Sequence, residues 1–93
     1  MSAHPRCILL LAFPDVQLLD VCGPLQVFAS ANELAAKRGQ PKPYAPRVVA
    51  AEAGLVASSS GLALQAESIR SVKGPVDTFI VPGGSGVCAA AED

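Results

Sequence analysis

The feature that most constrains this chain is an unbroken run of apolar residues at positions 7–13, Cys-Ile-Leu-Leu-Leu-Ala-Phe, which stops at Pro14. A strand with one face in water alternates apolar and polar side chains. A run without alternation is typical of a strand that is buried on both faces, as in the interior of a parallel sheet. One turn of a buried helix is the alternative, but the length of the run and the stop at Pro14 favour the strand. The run therefore predicts an α/β protein.

The next segment has the spacing of a helix, with apolar residues at three- and four-residue steps between positions 18 and 37. Gly23-Pro24 interrupts this pattern, and proline is tolerated only in the first turn of a helix. We therefore expect a short turn at 18–22 and a separate helix over 24–37.

The rest of the chain continues to alternate between strand and helix patterns. In chain order we expect a proline-rich connector at 40–46, a strand at 47–51, a small hairpin at 55–57 and 62–66, a helical turn at 68–72, a strand at 78–81 and the start of a helix at 87–92. The three serines at 58–60 have the composition of a solvated loop. This order predicts a partial doubly wound parallel sheet of the flavodoxin-like kind, with a small hairpin.

Composition narrows the functional classes. Apolar residues make up 51% of the chain and charged residues 16%, which excludes intrinsic disorder. The net charge is −1, and no basic cluster is longer than Lys37-Arg38, so nothing indicates direct binding of nucleic acid or of an anionic membrane. No stretch reaches the roughly 18–20 consecutive apolar residues of a membrane helix, and no secretory signal pattern is present. We expect a cytoplasmic protein.

Cysteine and histidine usage limits the chemistry. The three cysteines, an odd number with scattered spacing, do not form a disulfide framework and fit a reducing compartment. The single histidine, His4, lies in the N-terminal tail. We therefore expect no metal site, no cofactor and no complete histidine-dependent catalytic apparatus.

The glycine-rich turn at 82–86, Pro-Gly-Gly-Ser-Gly, is the first candidate site because it directly follows a predicted buried strand. Ligands bind at the carboxyl ends of parallel strands, and glycines let backbone N–H groups approach an anion. Three interpretations stay open: a relaxed dinucleotide fingerprint, amides presented to an oxyanion or carboxylate, and a tight turn that needs only positive φ. A phosphate P-loop is excluded, since no Gly-Lys-Ser/Thr follows.

Asp20 is the second candidate, because it is a lone carboxylate among apolar neighbours. Such a group either points into a cleft, where it can share a proton with a neighbouring nucleophile, or caps the helix that follows. Spacing alone favours the cap. Asp15, beside Pro14, is interpreted more simply as an exposed turn former.

At these two motifs the chain resembles the ThiJ/PfpI superfamily, the class I glutamine amidotransferase-like domains. The segments that carry the resemblance are FPDVQLLDVCGPLQVF at 13–28, SSGL at 59–62 and GPVDTFIVPGGSGV at 74–87. The chain is most similar to the subgroup that forms the N-terminal half of AraC-family transcription regulators. Isonitrile hydratase is an enzyme that shares both motifs. On this resemblance, residues 1–93 are the N-terminal part of one such domain.

The resemblance implies roles for particular residues. In the enzymes of the superfamily a cysteine on a strand-to-helix elbow is the nucleophile, an acidic residue hydrogen-bonds its thiol, and the Pro-Gly-Gly turn supplies an oxyanion-hole amide. Carried over by motif, Asp20 is the acidic partner, Gly84 the amide donor and Gly83 the residue that shapes the turn. Ser85 and Cys22 would border the ligand, although the regulators commonly have threonine where Cys22 stands.

The elbow is expected beyond residue 93, and none of Cys7, Cys22 and Cys88 lies on one. We therefore expect a fragment of a small-molecule-sensing and dimerisation domain of an AraC-family regulator, which is not catalytic by itself. Its parent would bind a small, nitrogen-containing metabolite and form a homodimer. The alternatives are a fragment of an isonitrile-hydratase-like, cysteine-dependent hydrolase or lyase, and an interaction module that pairs through an open sheet edge.

Overall fold

A computed structural model describes residues 4–83 as a five-stranded sheet with one long helix. The elements are β1 (Arg6–Leu11), α1 (Leu18–Lys37), β2 (Tyr44–Ala50), β3 (Gly54–Ala57), β4 (Ala63–Ser68), a 3-10 turn (Ile69–Ser71) and β5 (Thr78–Ile80). The strand order is β3-β4-β2-β1-β5, and every pair is parallel except the β3–β4 hairpin. The prediction of an α/β protein with a partial, mostly parallel sheet is confirmed. The expected helix at 87–92 lies outside the described residues.

The interior strand β1 contains most of the apolar run and is buried on both faces. Ile8 and Leu10 point to one face and pack with Phe13, Val16 and Val21 in the core cluster. Leu9 points to the opposite face and is only 4% exposed. Burial of each such side chain contributes on the order of 1.5–3 kcal/mol. The unbroken run is therefore explained by the position of β1 between β2 and β5.

The helix α1 is continuous, so the predicted break at Gly23-Pro24 is wrong. Pro24 lies inside α1, beyond its first turn. Because proline has no N–H, the carbonyl of Asp20, four residues earlier, has no helical donor. Packing outweighs this local cost: Val21 is fully buried, and Leu25 packs against the same core cluster.

The strand β2 begins at Tyr44, so the last three residues of the predicted connector are strand instead. Pro46 is tolerated because it pairs with Ile8 of β1, while β4 joins β2 only at Val49 and Ala50. The side chain of Asn32 in α1 anchors the start of the strand. Its Nδ2 donates to the carbonyl of Tyr44 at 3.0 Å, and its Oδ1 accepts from the Tyr44 N–H at 3.1 Å.

The remaining elements lie close to their predicted positions. The hairpin is formed by β3 and β4, the helical turn by Ile69–Ser71 and the predicted strand at 78–81 by Thr78–Ile80. The prediction that this strand is buried is wrong, because Thr78 and Phe79 are exposed at the edge of the described sheet. Asp15 is exposed in a turn, as predicted, and its φ of 68° is a left-handed conformation that aspartate tolerates. Within residues 4–83, no helix has both the length and the apolar character needed to cross a membrane.

Candidate functional site

The candidate site lies at the carboxyl-terminal edge of the sheet, between β1 and β5. After β1 the chain passes through α1 to β2 on one side, and it later reaches β5 on the other side. In open parallel sheets, ligands bind in the crevice at such a reversal of strand order. The residues that follow β1 and those that follow β5 meet at this point.

A direct hydrogen bond joins the two motifs that the sequence singles out. The N–H of Gly83 donates to Oδ2 of Asp20 at 3.0 Å. The carbonyl of Gly83 accepts from the N–H of Gln17, also at 3.0 Å. Both backbone polar groups of Gly83 are therefore held by the start of α1.

Glycine at position 83 is explained by close approach. A Cβ on this residue would lie 3.2 Å from Oδ2 of Asp20 and 4.0 Å from Cγ of Gln17. Gly83 is not among the glycines with positive φ, so the turn does not need glycine for its backbone angle at this position. A Cβ here would crowd the carboxylate, which would have to move by a few tenths of an ångström.

The structure separates the two interpretations of Asp20. Since α1 begins at Leu18 with Gln17 as its N-cap, Asp20 lies in the first turn and does not cap a helix that starts after it. A carboxylate there interacts favourably with the helix dipole, by about 0.3–1 kcal/mol. The side chain reaches across to the turn after β5, where one oxygen is engaged by Gly83. Its role as the acidic partner of a nucleophile stays a prediction.

Of the other predicted site residues, Cys22 lies within the described part of the chain and the rest lie outside it. Cys22 is half-buried in α1, two residues after Asp20. Two residues turn a helix by about 200°, so the two side chains leave α1 in different directions. The assignment of Cys22 to the ligand site stays a prediction. Gly84 and Ser85 lie outside the described residues, as does Cys88.

A second polar group at this edge was not predicted: the serine turn, residues 58–60, which follows β3. Ser58 is 4% exposed, and its hydroxyl shares a hydrogen bond of 2.9 Å with the hydroxyl of Ser60. The expectation of a solvated loop is therefore wrong for Ser58, whereas Ser59 and Ser60 are exposed. Three consecutive serines were the available signal, but the same composition is found in ordinary loops.

The bridging segment, residues 15–17, connects the serine turn to Gly83. The Asp15 N–H donates to the carbonyl of Ala57 at 2.9 Å, and the Ser59 N–H donates to the carbonyl of Val16 at 2.9 Å. A β-bridge also pairs Val16 with Ser58. The polar edge of the sheet is therefore one hydrogen-bonded unit.

The pKa shifts of the described residues lie at an ion pair away from this edge. Arg47 binds Glu67 in a bidentate manner, with Nε to Oε2 at 3.0 Å and Nη2 to Oε1 at 2.6 Å. The hydrogen bond raises the pKa of Arg47 and lowers the pKa of Glu67. In the strand register Arg47 is paired with Leu9, on the face opposite α1, so the pair supports the sheet rather than the site.

Within residues 4–83, no group of three or more His, Cys, Asp or Glu side chains is arranged to hold a metal ion. The chemistry available at the edge is that of hydrogen bonding. It comprises the carboxylates of Asp15 and Asp20, the backbone groups of the bridging segment and the serine hydroxyls. Such a set suits a small polar ligand.

No family model matches the chain. The chain is similar to a protein of Streptomyces lividans described as "Uncharacterized protein in cpoL 5'region", with 33% identity over 84 residues. The aligned region covers 90% of this chain and 55% of the relative. The chain therefore spans about half the length of the curated relative that it matches.

Proposed function

We propose that this chain is part of a small-molecule-sensing and dimerisation domain of the ThiJ/PfpI type, from an AraC-family transcription regulator. One observation carries the proposal: the hydrogen bond between Asp20 and Gly83 at the reversal of strand order. These two residues belong to the two motifs by which the chain resembles that superfamily.

The hydrogen-bonding groups of the site favour a particular ligand chemistry. Oδ2 of Asp20 accepts from Gly83, while Oδ1 makes no hydrogen bond to the described residues. A carboxylate only accepts, so a ligand that reaches Oδ1 must offer an N–H or O–H donor. A small, nitrogen-containing molecule with an N–H group meets this requirement, as does one with a hydroxyl group.

The proposal assigns no catalytic step to the described residues. A thiol nucleophile that shares a proton with Asp20 has to lie within hydrogen-bond reach of its carboxylate. Cys7 is in β1, and Cys22 leaves α1 on a different side from Asp20. The carboxylate is therefore proposed as a binding group.

A titration of the isotopically labelled 93-residue chain with acetamide, followed by amide NMR, tests the ligand site. Acetamide should shift the amide signals of Gly83 and Gln17, and Asp20→Ala should remove most of that response. Glu33→Gln is the matched control, because Glu33 is an exposed carboxylate on the same helix. Shifts that are unchanged in Asp20→Ala, or that are spread over the whole surface, would contradict the site.

A second experiment separates the regulator from the enzyme. The gene is sequenced beyond codon 93, and its full product is assayed for DNA binding and for isonitrile turnover. A helix-turn-helix segment, with DNA binding that responds to a ligand, supports the regulator. If the full product does not bind DNA but turns over an isonitrile, and Asp20→Ala abolishes this turnover, the isonitrile-hydratase-like alternative would replace the regulator.

A further inference from the structure

We infer that the exposed face of α1 is a homodimer interface, in which α1 packs antiparallel against α1 of a second copy of this chain, around a two-fold axis at Val27. The inference rests on the proposed function, because it assigns a surface to the dimerisation that the function includes. Three observations carry it: exposed apolar side chains on one face of α1, their symmetric spacing, and opposite charges at the two ends of the helix.

The apolar face of α1 is formed by Leu19, Val27 and Leu34. Their side chains are 78%, 66% and 50% exposed. At 3.6 residues per turn, the three positions lie within about 80° of one another around the helix axis. Val21 and Phe28, which belong to the core cluster or pack against it, project from the other side of α1. The apolar face is therefore not part of the core of the described fold.

The spacing of these side chains is nearly symmetric about Val27. Leu19 precedes Val27 by eight residues and Leu34 follows it by seven, which correspond to about 12 Å and about 10.5 Å along the helix axis. In a two-fold interface, a residue that contacts a second residue of the partner is contacted by that same residue in return. An antiparallel pair with its axis at Val27 meets this condition, because Leu19 then lies beside Leu34 of the second copy and Val27 lies beside its own counterpart.

The charges of α1 favour the antiparallel pair over a parallel one. Asp20 lies in the first turn of α1 and Lys37 in the last, and Arg38 is the C-cap. A parallel pair would place like charges side by side, whereas an antiparallel pair places the acidic end of each helix near the basic end of the other. The helix dipoles favour the same orientation. Glu33, the remaining charged residue of α1, lies outside the arc of the apolar face. A second copy therefore offers both the apolar surface and the charges that this face requires.

The size of the face indicates a weak dimer. A helix of 20 residues is about 30 Å long and about 10–12 Å in diameter. One face of it falls short of the roughly 800 Å² that each partner buries in a standard-size interface. We therefore expect monomer and dimer to be in an equilibrium that depends on protein concentration.

Sedimentation equilibrium of the 93-residue chain over a range of concentrations tests the inference. Because residue 27 faces its own counterpart, Val27→Glu and Val27→Lys should each weaken the dimer by about tenfold or more through like-charge repulsion. An equimolar mixture of the two variants should recover dimers, since the charges are then opposite. Leu55→Glu and Leu55→Lys are the matched controls, because Leu55 is 75% exposed in β3, an outer strand of the described sheet. These controls should dimerise like the original chain, and circular dichroism verifies that every variant is folded.

A second mixture tests the orientation of the two helices. In the antiparallel pair, Leu19→Glu of one copy lies beside Leu34→Lys of the other, so mixing these two variants should give more dimer than either variant alone. In a parallel pair the two new charges would not meet. Recovery with the Val27 variants but not with this mixture would therefore overturn the antiparallel arrangement.

The remaining outcomes concern the interface as a whole. An original chain that stays monomeric at every concentration would overturn the interface and assign the apolar face to another occupant. Val27 variants that dimerise as well as the Leu55 variants would do the same, and a mixture of Val27→Glu and Val27→Lys that fails to dimerise would overturn the axis at Val27. The acetamide titration is a separate readout, so a monomeric chain that still shows the Asp20-dependent shift at Gly83 would reject the interface and keep the ligand site.

Discussion

Asp20 and Gly83 lie 63 positions apart in the chain, and one hydrogen bond of 3.0 Å from the Gly83 N–H to Oδ2 of Asp20 joins them. The bond links the first turn of α1 to the residues after β5, which are also held by the bond from the Gln17 N–H to the Gly83 carbonyl and by the short pairing of β5 with β1. It is therefore both a structural contact and the centre of the proposed ligand site.

Removal of the acceptor should loosen this contact. We expect Asp20→Ala to lower the free energy of unfolding by about 0.5–1.5 kcal/mol, the usual value of one hydrogen bond. Asp20→Asn keeps an acceptor oxygen and should lose less. Denaturant unfolding measures the stability, and hydrogen exchange of the Gly83 amide reports the bond itself. Unchanged exchange at Gly83 in Asp20→Ala would show that the bond does not protect this amide in solution.

A side chain at position 83 should conflict with the same carboxylate. Gly83→Ala would place Cβ 3.2 Å from Oδ2, and we expect a destabilisation on the order of 1 kcal/mol. Because the conflict is with Asp20, the loss should shrink in the Asp20→Ala background, and a double-mutant cycle measures this. Gly23→Ala is the control. Apart from its chain neighbours, its Cβ meets nothing within 4 Å, so the effect of this change should be the same with and without the Asp20 carboxylate.

Asn32 should be sensitive to small chemical changes. Its side chain binds both backbone groups of Tyr44, so Asn32→Ala should cost about 1–3 kcal/mol in unfolding free energy. Asn32→Asp retains the acceptor for the Tyr44 N–H but replaces the donor with an oxygen that faces the Tyr44 carbonyl. Asn32→Asp should therefore lower the unfolding free energy at pH 7 at least as much as Asn32→Ala does. An Asn32→Asp variant as stable as the original chain would contradict this account of the contact.

The Arg47–Glu67 pair should make stability depend on pH in one direction. The pKa of Glu67 in the folded chain is below its ordinary value of 4.5. The contribution of the pair is therefore complete above that value and is lost as the pH falls through the lower folded pKa. Since the side chains are 31% and 50% exposed, we expect only about 0.2–1 kcal/mol, and less in high salt. Glu67→Gln should remove this pH dependence, and a slope that persists in that variant would assign it to other carboxylates.

The sequence predicted the strands better than the helix, for a physical reason. The apolar run of β1 fits an interior strand of a sheet that is covered on both faces, and the structure places β1 between β2 and β5. Pro24 and Pro46 led to wrong boundaries. At Pro24, packing of α1 on the core outweighed the local preference against proline in a helix. At Pro46, the strand could continue because β2 is paired there with β1 only. Tertiary contacts of this kind have no local signal.

The candidate site was predictable where each residue type has a distinct chemical reason to be present. A lone carboxylate and a glycine after an apolar strand both stood out, and the structure brings Asp20 and Gly83 together. The contact between the serine turn and the bridging segment was not predictable, because it is made by backbone groups that every residue carries. Only the three-dimensional path of the chain decides which of these groups meet.

The edge position of β5 has a consequence for the order in which the molecule assembles. β1, α1 and β2 are close in sequence, whereas β5 must return across about 70 residues of chain to pair with three residues of β1. Closing so long a loop for so few hydrogen bonds is entropically expensive, so this step is expected late in folding and early in partial unfolding. A partly folded chain would hold most of its hydrophobic core before Gly83 reached Asp20. The ability to bind a ligand would then report the pairing of β5 with β1, and a bound ligand would in turn keep β5 in place.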